Sequence, residues 1–136
     1  MSIFTRYRLH HVGVVLPSLE DAARHMEAFG LEEDYRGFVK PWHSWCIFTK
    51  PDNDGTAIEL VVATDGPLLR FNKGVGGVHH FAYQIEDFAE AEGWCAANDM
   101  ALLEPRPIKG AGNFLCNFIH PVATRGIQIE LVQVLD

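Results

Sequence analysis

Two pairs of adjacent histidines open two β-like runs in this chain, LHHVGVV at residues 9–15 and VHHFAYQ at residues 78–84. Side chains alternate between the two faces of a strand, so each pair should send one imidazole to each face. His11 and His80 share their face with small residues, which leaves room for a ligand. His10 and His79 share the bulkier face, which a helix can cover. We therefore predict that His11 and His80 do chemistry and that their neighbours are structural or supporting.

Two glutamates recur in the same way, because Glu59 and Glu130 each stand in the tetrapeptide Ile-Glu-Leu-Val. The apolar neighbours lie opposite in phase to the carboxylate, and an ionised carboxylate in such a strand is costly to bury unless it is paired or binds a metal. Two imidazoles and two carboxylates suit a divalent ion such as Co²⁺, Ni²⁺, Mn²⁺, Fe²⁺ or Zn²⁺. We predict one such ion, of unknown identity, held by His11, Glu59, His80 and Glu130.

The chain is an internal repeat. Residues 44–62 and 114–134 share Cys-x-Phe, a proline three residues later, a glycine and then Ile-Glu-Leu-Val. The matched pairs keep a nearly constant offset of 69 to 71 residues: His11 with His80, Cys46 with Cys116, Phe48 with Phe118, Pro51 with Pro121 and Glu59 with Glu130. Matches in one order with a steady offset indicate a duplicated structural module.

Each half predicts the element order β-α-β-β-β. Helices follow the capping signatures Ser18–Asp21 and Asp87–Glu90. The predicted strands are 9–16, 31–39, 44–50 and 57–63 in the first half, and 78–85, 101–104, 114–120 and 127–135 in the second. The fold class is therefore α+β, with two tandem βαβββ modules at about 8–65 and 76–135 in one domain of residues 1–136.

Composition narrows the classes of function. The 136 residues are 48% hydrophobic and 21% charged, with a formal charge of −7. That charge disfavours nucleic acid or an anionic membrane surface as the main partner. No apolar run reaches the length of a membrane span, and the N-terminus lacks a signal-peptide core. Three unclustered cysteines favour reduced thiols, so we expect a cytoplasmic protein.

These residues resemble the vicinal oxygen chelate, or glyoxalase-like, superfamily, from about residue 8 to residue 134. Within it, LHHVGVVLPSLEDA, IELVVATDGPLLRF and GGVHHFAYQIEDF look most like methylmalonyl-CoA epimerases, as does the segment EPRPIKGAGNFLCNFIHP. The resemblance implies a domain with a metal-centred cavity and the four ligands predicted above. It also implies an acyl-CoA substrate, a homodimer, and an isomerase in which Glu130 is both a ligand and the base that removes a proton α to the thioester.

One departure from this family concerns the second acid or base that inversion requires. Relatives often carry a carboxylate on the third strand of the first module, where this chain has Trp45 and Cys46. Cys46, His43 and water are the remaining candidates for that role, and Trp45 and Cys46 are candidate substrate contacts. Arg106 and Lys109, in EPRPIKG, are candidates for binding the CoA phosphates.

Three other functions use similar residues. A glyoxalase I-like lyase or isomerase would use the same four ligands on another small carbonyl compound. An iron-dependent ring-cleaving dioxygenase needs two histidines, one carboxylate and open positions, and Glu59 would fill a position that oxygen requires. A non-enzymatic, resistance-type protein that binds a small molecule would not need to retain all four ligands.

Overall fold

Each half of the chain folds as a strand, a helix and three strands in the computed structural model, which describes residues 2–136. The elements of the first half are β1 (Phe4–Val15), α1 (Leu19–Ala28), β2 (Glu33–Val39), β3 (Ser44–Thr49) and β4 (Ala57–Ala63). Those of the second are β5 (Gly77–Ile85), α2 (Phe88–Ala97), β6 (Ile108–Lys109), β7 (Phe114–Ile119) and β8 (Ile129–Val134). The predicted fold class is confirmed.

The strands form one sheet in the order β2-β3-β4-β1-β5-β8-β7-β6. The first strand of each half pairs in parallel with the last strand of the same half, as β1 with β4 and β5 with β8. The first strands of the two halves pair with each other antiparallel. This arrangement is nearly symmetric about the β1–β5 seam, so the strongly curved, barrel-like sheet brings equivalent positions of both halves to its centre.

The helices begin where the capping signatures predict. The Ser18 side chain accepts a hydrogen bond from the Asp21 backbone N–H, and the Asp87 carboxylate accepts one from the Glu90 N–H. Both helices lie on the outside of the sheet and cover its apolar outer face, because Ala22 of α1 packs on β3 and β4 while Phe88 and its neighbours pack on β5, β7 and β8. No helix in residues 2–136 has the length and apolar character to cross a membrane.

The second half departs from its predicted pattern at 101–104. This stretch forms only an isolated bridge from Leu102 to Ile119, and the edge strand is β6, six residues later. Pro105 and Pro107 explain the shift, because a proline has no N–H to donate to a ladder. The expected strand at 101–104 is therefore wrong in position, although the β-α-β-β-β order holds.

The β1–β5 ladder contains two irregularities, one at each histidine pair. Leu9 pairs with Tyr83 but His11 with Ala82, so His10 is an extra residue in β1. Further along, the register shifts between Gly13 and Val14 because His79 is an extra residue in β5. Each is a β-bulge, which interrupts alternation and re-aims a side chain. The expectation that adjacent histidines face opposite ways is wrong for this reason.

Candidate metal centre

Four side chains, one from each of the central strands, meet inside the sheet. His11 and His80 come from β1 and β5, and Glu59 and Glu130 come from β4 and β8. All four are buried, with exposed fractions of 0% to 3%. Two imidazoles and two carboxylates at this depth need compensation, since burying a charge without a partner is costly.

The potential ligand atoms lie close together. The Nε2 atoms of His11 and His80 are 3.2 Å apart. Glu130 Oε1 is 2.9 Å from His11 Nε2 and 3.4 Å from His80 Nε2, and Glu59 Oε1 is 3.5 Å and 3.1 Å from the same atoms. A metal with bonds of about 2.1 Å holds adjacent ligand atoms about 3.0–3.4 Å apart. The spacing of the cluster matches that requirement.

The carboxylates show that these atoms are directed at a shared point rather than at each other. The Oε1 atoms of Glu59 and Glu130 are buried and have no hydrogen-bond partner within residues 2–136, although imidazole nitrogens lie nearby. The tightest ligand set, with atoms within 4.8 Å of one another, is His11, His80 and Glu130. Glu59 adds a second carboxylate oxygen beside both imidazoles. The donor set and its unsatisfied oxygens suit a divalent metal ion.

Charge in the cluster is mutually stabilised. Burial lowers the pKa of His80, but the close carboxylates of Glu130 and Glu59 outweigh burial and raise the pKa to about 10. The pKa of His11 is raised by Glu59 and Glu130 against the same opposing effect of burial. Burial raises the pKa of both glutamates, but the two histidines outweigh it and hold the pKa of each carboxyl well below its usual range. The glutamates are therefore ionised at neutral pH, as metal ligands must be.

The other histidine of each pair lies directly behind a ligand candidate. His10 Nδ1 is 2.7 Å from His11 Nδ1, and His79 Nδ1 is 2.8 Å from His80 Nδ1. Burial, followed by the neighbouring histidine, lowers the pKa of His10 and of His79 to about 4. Both are neutral at pH 7 and so able to accept a hydrogen bond.

One side of the cluster opens into a cavity of about 170 Å³. Glu59 and His80 lie at its base and His79 lies at its edge. The remaining lining is mainly apolar: Trp42, Val61, Leu68, Leu103, Phe118 and Gln128. A mostly apolar cavity with a few convergent polar groups is the usual form of a small-molecule site.

The opposite, pseudosymmetric side is filled by aromatic rings. Tyr35 stacks on Phe48 with centroids 4.9 Å apart and an interplanar angle of 12°, and Phe114 packs against Phe48 at 5.7 Å. Phe48 in turn contacts the His11 ring at 4.9 Å. Gly112 permits this filling, because a Cβ there would lie 2.6 Å from the Tyr35 ring. A substrate therefore reaches the cluster from the side of His80.

The four residues predicted to contact substrate lie outside the cavity lining. Cys46 is in the central core and fully buried, and Trp45 packs on the outer face beside α1. Arg106 is exposed, and Lys109 donates to the Gly112 carbonyl. Burial and then Glu59 raise the pKa of the Cys46 thiol, which therefore stays protonated. His43, the other candidate acid or base, is exposed on a turn.

Sequence reasoning missed three residues of the cavity wall. Leu68 and Leu103 lie in irregular segments where no periodicity predicts the direction of a side chain. Gln128 just precedes β8, and its amide donates to the His79 backbone carbonyl at 2.9 Å. Trp42 belongs to an aromatic group visible in the sequence, but only the fold shows that it lines the cavity. Apolar residues outside regular strands carried no signal of this role.

The fold and the site agree with what is known of similar proteins. The mitochondrial methylmalonyl-CoA epimerase of Dictyostelium discoideum is 26% identical over 129 residues, which cover 91% of this chain and 76% of that protein. An ethylmalonyl-CoA/methylmalonyl-CoA epimerase from Cereibacter sphaeroides is 31% identical over 133 residues, covering 93% of this chain and 98% of the relative.

Structural and family comparisons extend this likeness to the whole chain. The crystal structure of methylmalonyl-CoA epimerase from Mycobacterium tuberculosis has a TM-score of 0.90 at 21% identity, covering 100% of this chain and 92% of that chain. At that identity it supports the fold. A family model described as the Glyoxalase/Bleomycin resistance protein/Dioxygenase superfamily matches residues 10–118. The chain therefore belongs to this superfamily, the vicinal oxygen chelate proteins.

Proposed function

We propose that this protein is a metal-dependent epimerase that removes and returns the proton α to the thioester of a 2-substituted acyl-CoA. The observation that carries the proposal is the convergence of two imidazoles and two carboxylates at the base of a mostly apolar cavity. The 31% identical relative, named for ethylmalonyl-CoA and methylmalonyl-CoA, supports the choice of substrate class.

The residues divide the work as follows. His11, His80, Glu59 and Glu130 hold the ion, which when bound polarises the substrate oxygens and stabilises enolate charge. Glu130 is the base that takes the α-proton. Trp42, Leu68 and Phe118 keep water from the reacting carbon, because they make up the apolar wall beside the cluster. Arg106 and Lys109 lie on an exposed segment where an extended CoA tail can reach them.

Other parts of the proposal concern the assembly and its location. The ion is one of the divalent metals Co, Ni, Mn, Fe or Zn, since borderline ions accept both imidazole and carboxylate. We further propose a homodimer and a cytoplasmic location. The free, buried thiols of Cys46, Cys95 and Cys116 support a reducing compartment.

Incubation of the metal-loaded protein with methylmalonyl-CoA or ethylmalonyl-CoA in deuterated water tests the proposal. We expect α-deuterium in the thioester, detected by mass spectrometry. Since no second carboxylate lines the cavity within residues 2–136 apart from Glu59, one enantiomer should exchange with retention faster than it is inverted. Inversion as fast as exchange would contradict this rate order.

A metal-loaded protein that exchanges no proton of either acyl-CoA would refute the epimerase proposal. The same preparation should then be assayed with hemithioacetals, the substrates of glyoxalase I-like enzymes. Turnover there would assign the four residues to that reaction. Tight binding of small molecules by metal-free protein would instead indicate a binding protein.

Metal binding should release protons at neutral pH. The pKa of His80 is raised to about 10 in the metal-free cluster, so its imidazole carries a proton at pH 7 that the metal must displace. Apparent affinity should therefore rise with pH from neutrality to about 10. Titration calorimetry with Zn²⁺ in two buffers of different ionisation enthalpy should report about one to two protons released at pH 7. Release of none would contradict the charge state assigned to His80.

A further inference from the structure

We infer that His10 and His79 are positioning residues that fix the ring orientation and tautomer of His11 and His80. The inference rests on the proposed metal site and explains why each histidine is doubled. It assigns a role to the two residues of the repeat that the ligand set leaves unused.

The direction of the hydrogen bonds follows from valence. The Nε2 atoms of His11 and His80 lie 3.2 Å apart in the cluster, so Nδ1 of each ring is the atom left to donate. A neutral imidazole has one N–H donor and one acceptor nitrogen. At 2.7 Å and 2.8 Å, His10 Nδ1 and His79 Nδ1 are therefore the acceptors, and each carries its own proton on Nε2.

The backbone is built for this contact in both halves. Neighbouring side chains on a regular strand point to opposite faces and cannot form a ring-to-ring hydrogen bond. The bulges at His10 and His79 place both rings of each pair on one side. The ring planes then meet at 76° in the first pair and 87° in the second. The duplicated halves thus repeat the same bulge, bond and ring angle.

Aromatic neighbours hold the supporting rings in place. His10 packs against Phe114 with centroids 5.5 Å apart, and His79 against Phe71 at 4.9 Å. A hydrogen bond from a ligand histidine to such a partner typically strengthens metal binding about 10- to 100-fold, because it fixes the ring before the metal arrives.

Substitution of His79 tests this role through metal affinity. His79→Leu removes the acceptor, whereas His79→Asn keeps an acceptor oxygen close to the position of Nδ1. With Zn²⁺ as the probe, we expect His79→Leu to weaken binding about 10- to 100-fold and His79→Asn to recover most of that loss. His10→Leu and His10→Asn should behave the same way, since the two pairs are equivalent. Thermal unfolding of the metal-free variants identifies any loss that is due to misfolding.

Long-range ¹H–¹⁵N correlation of the histidine rings gives a second readout that needs no substrate. In Zn²⁺-loaded protein, His11 and His80 should be protonated at Nδ1, and His10 and His79 at Nε2. In metal-free protein, Nδ1 of His10 and of His79 should still be an unprotonated acceptor. Protonation of either atom would overturn the inference even if the protein bound no metal.

The outcomes separate this inference from the proposed function. Wild-type Zn²⁺ affinity in a folded His79→Leu variant would refute the positioning role and leave the metal site standing. Equal losses in the leucine and asparagine variants would refute the hydrogen bond as the cause. The expected tautomers and affinities together with no α-proton exchange would support the positioning role while refuting the epimerase proposal.

Discussion

Glutamine in place of Glu130 should lower α-proton exchange by about 10²- to 10⁴-fold, the usual contribution of a positioned general base. The amide keeps the shape of the side chain and one oxygen that can face the metal, but it cannot accept the proton. Exchange into methylmalonyl-CoA in deuterated water measures the effect. Metal content must be measured in the same samples, because loss of a ligand would lower exchange by another route.

Glu59→Gln is the matched control, since Glu59 is the equivalent residue of the other half. Both carboxylates touch both imidazoles, at 2.9 Å to 3.5 Å, so the two variants should perturb the metal to a similar degree. With Glu130 as the base, Glu59→Gln should retain exchange within about tenfold of wild type, well inside the general-base contribution. Glu59 lines the cavity, however. The reverse result would therefore assign the base role to Glu59.

The repeat made much of this site predictable from sequence. His11, Glu59, His80 and Glu130 recur at a near-constant offset, and strand alternation places them on the inner face, where the structure has them. Periodicity works here because the four strands are regular on either side of these positions. Their role as metal ligands stays a prediction, since the geometry shows convergence rather than a bound ion.

Departures from regular strands limited what the sequence could show. A one-residue bulge cannot be read from local composition, so the shared direction of His10 and His11 was not predictable. The cavity wall depends on irregular segments, such as the 3₁₀ segment Pro67–Gly74 that carries Leu68. The proposed substrate contacts Arg106 and Lys109 lie outside that wall, because the loop that carries them is held by β7 at the far edge of the sheet.

The closure of one half-site shows how a duplicated fold becomes a one-sided site. Trp42 and Gly112 occupy equivalent positions at an offset of 70 residues. The indole lines the open cavity, whereas the glycine leaves space that Tyr35 fills. A small residue on one side and a large one on the other thus give substrate a single approach to a nearly symmetric cluster.

Alanine at Gly13 should displace His80 and abolish tight metal binding. Gly13 lies opposite His80 in the β1–β5 ladder, and a Cβ at that position would lie 2.0 Å from the imidazole Cε1. Overpacking of this kind costs about 1–3 kcal/mol, more than the 0.5–1 kcal/mol that alanine gains over glycine in a strand. The free energy of unfolding should therefore fall. Zn²⁺ affinity should fall by at least about 10- to 100-fold, the range seen when a ligand's support is lost.

Two variants isolate the collision as the cause. Ala82 is the residue equivalent to Gly13 and lies opposite His11, so Ala82→Gly alters the matching position without a clash and should keep the metal. His80→Ala removes the ring itself, so adding Gly13→Ala to that variant should cost no further stability. Urea unfolding of the four proteins of this cycle gives the coupling energy between the two positions. An equal cost of Gly13→Ala with and without the His80 ring would show that the glycine serves the backbone rather than the metal site.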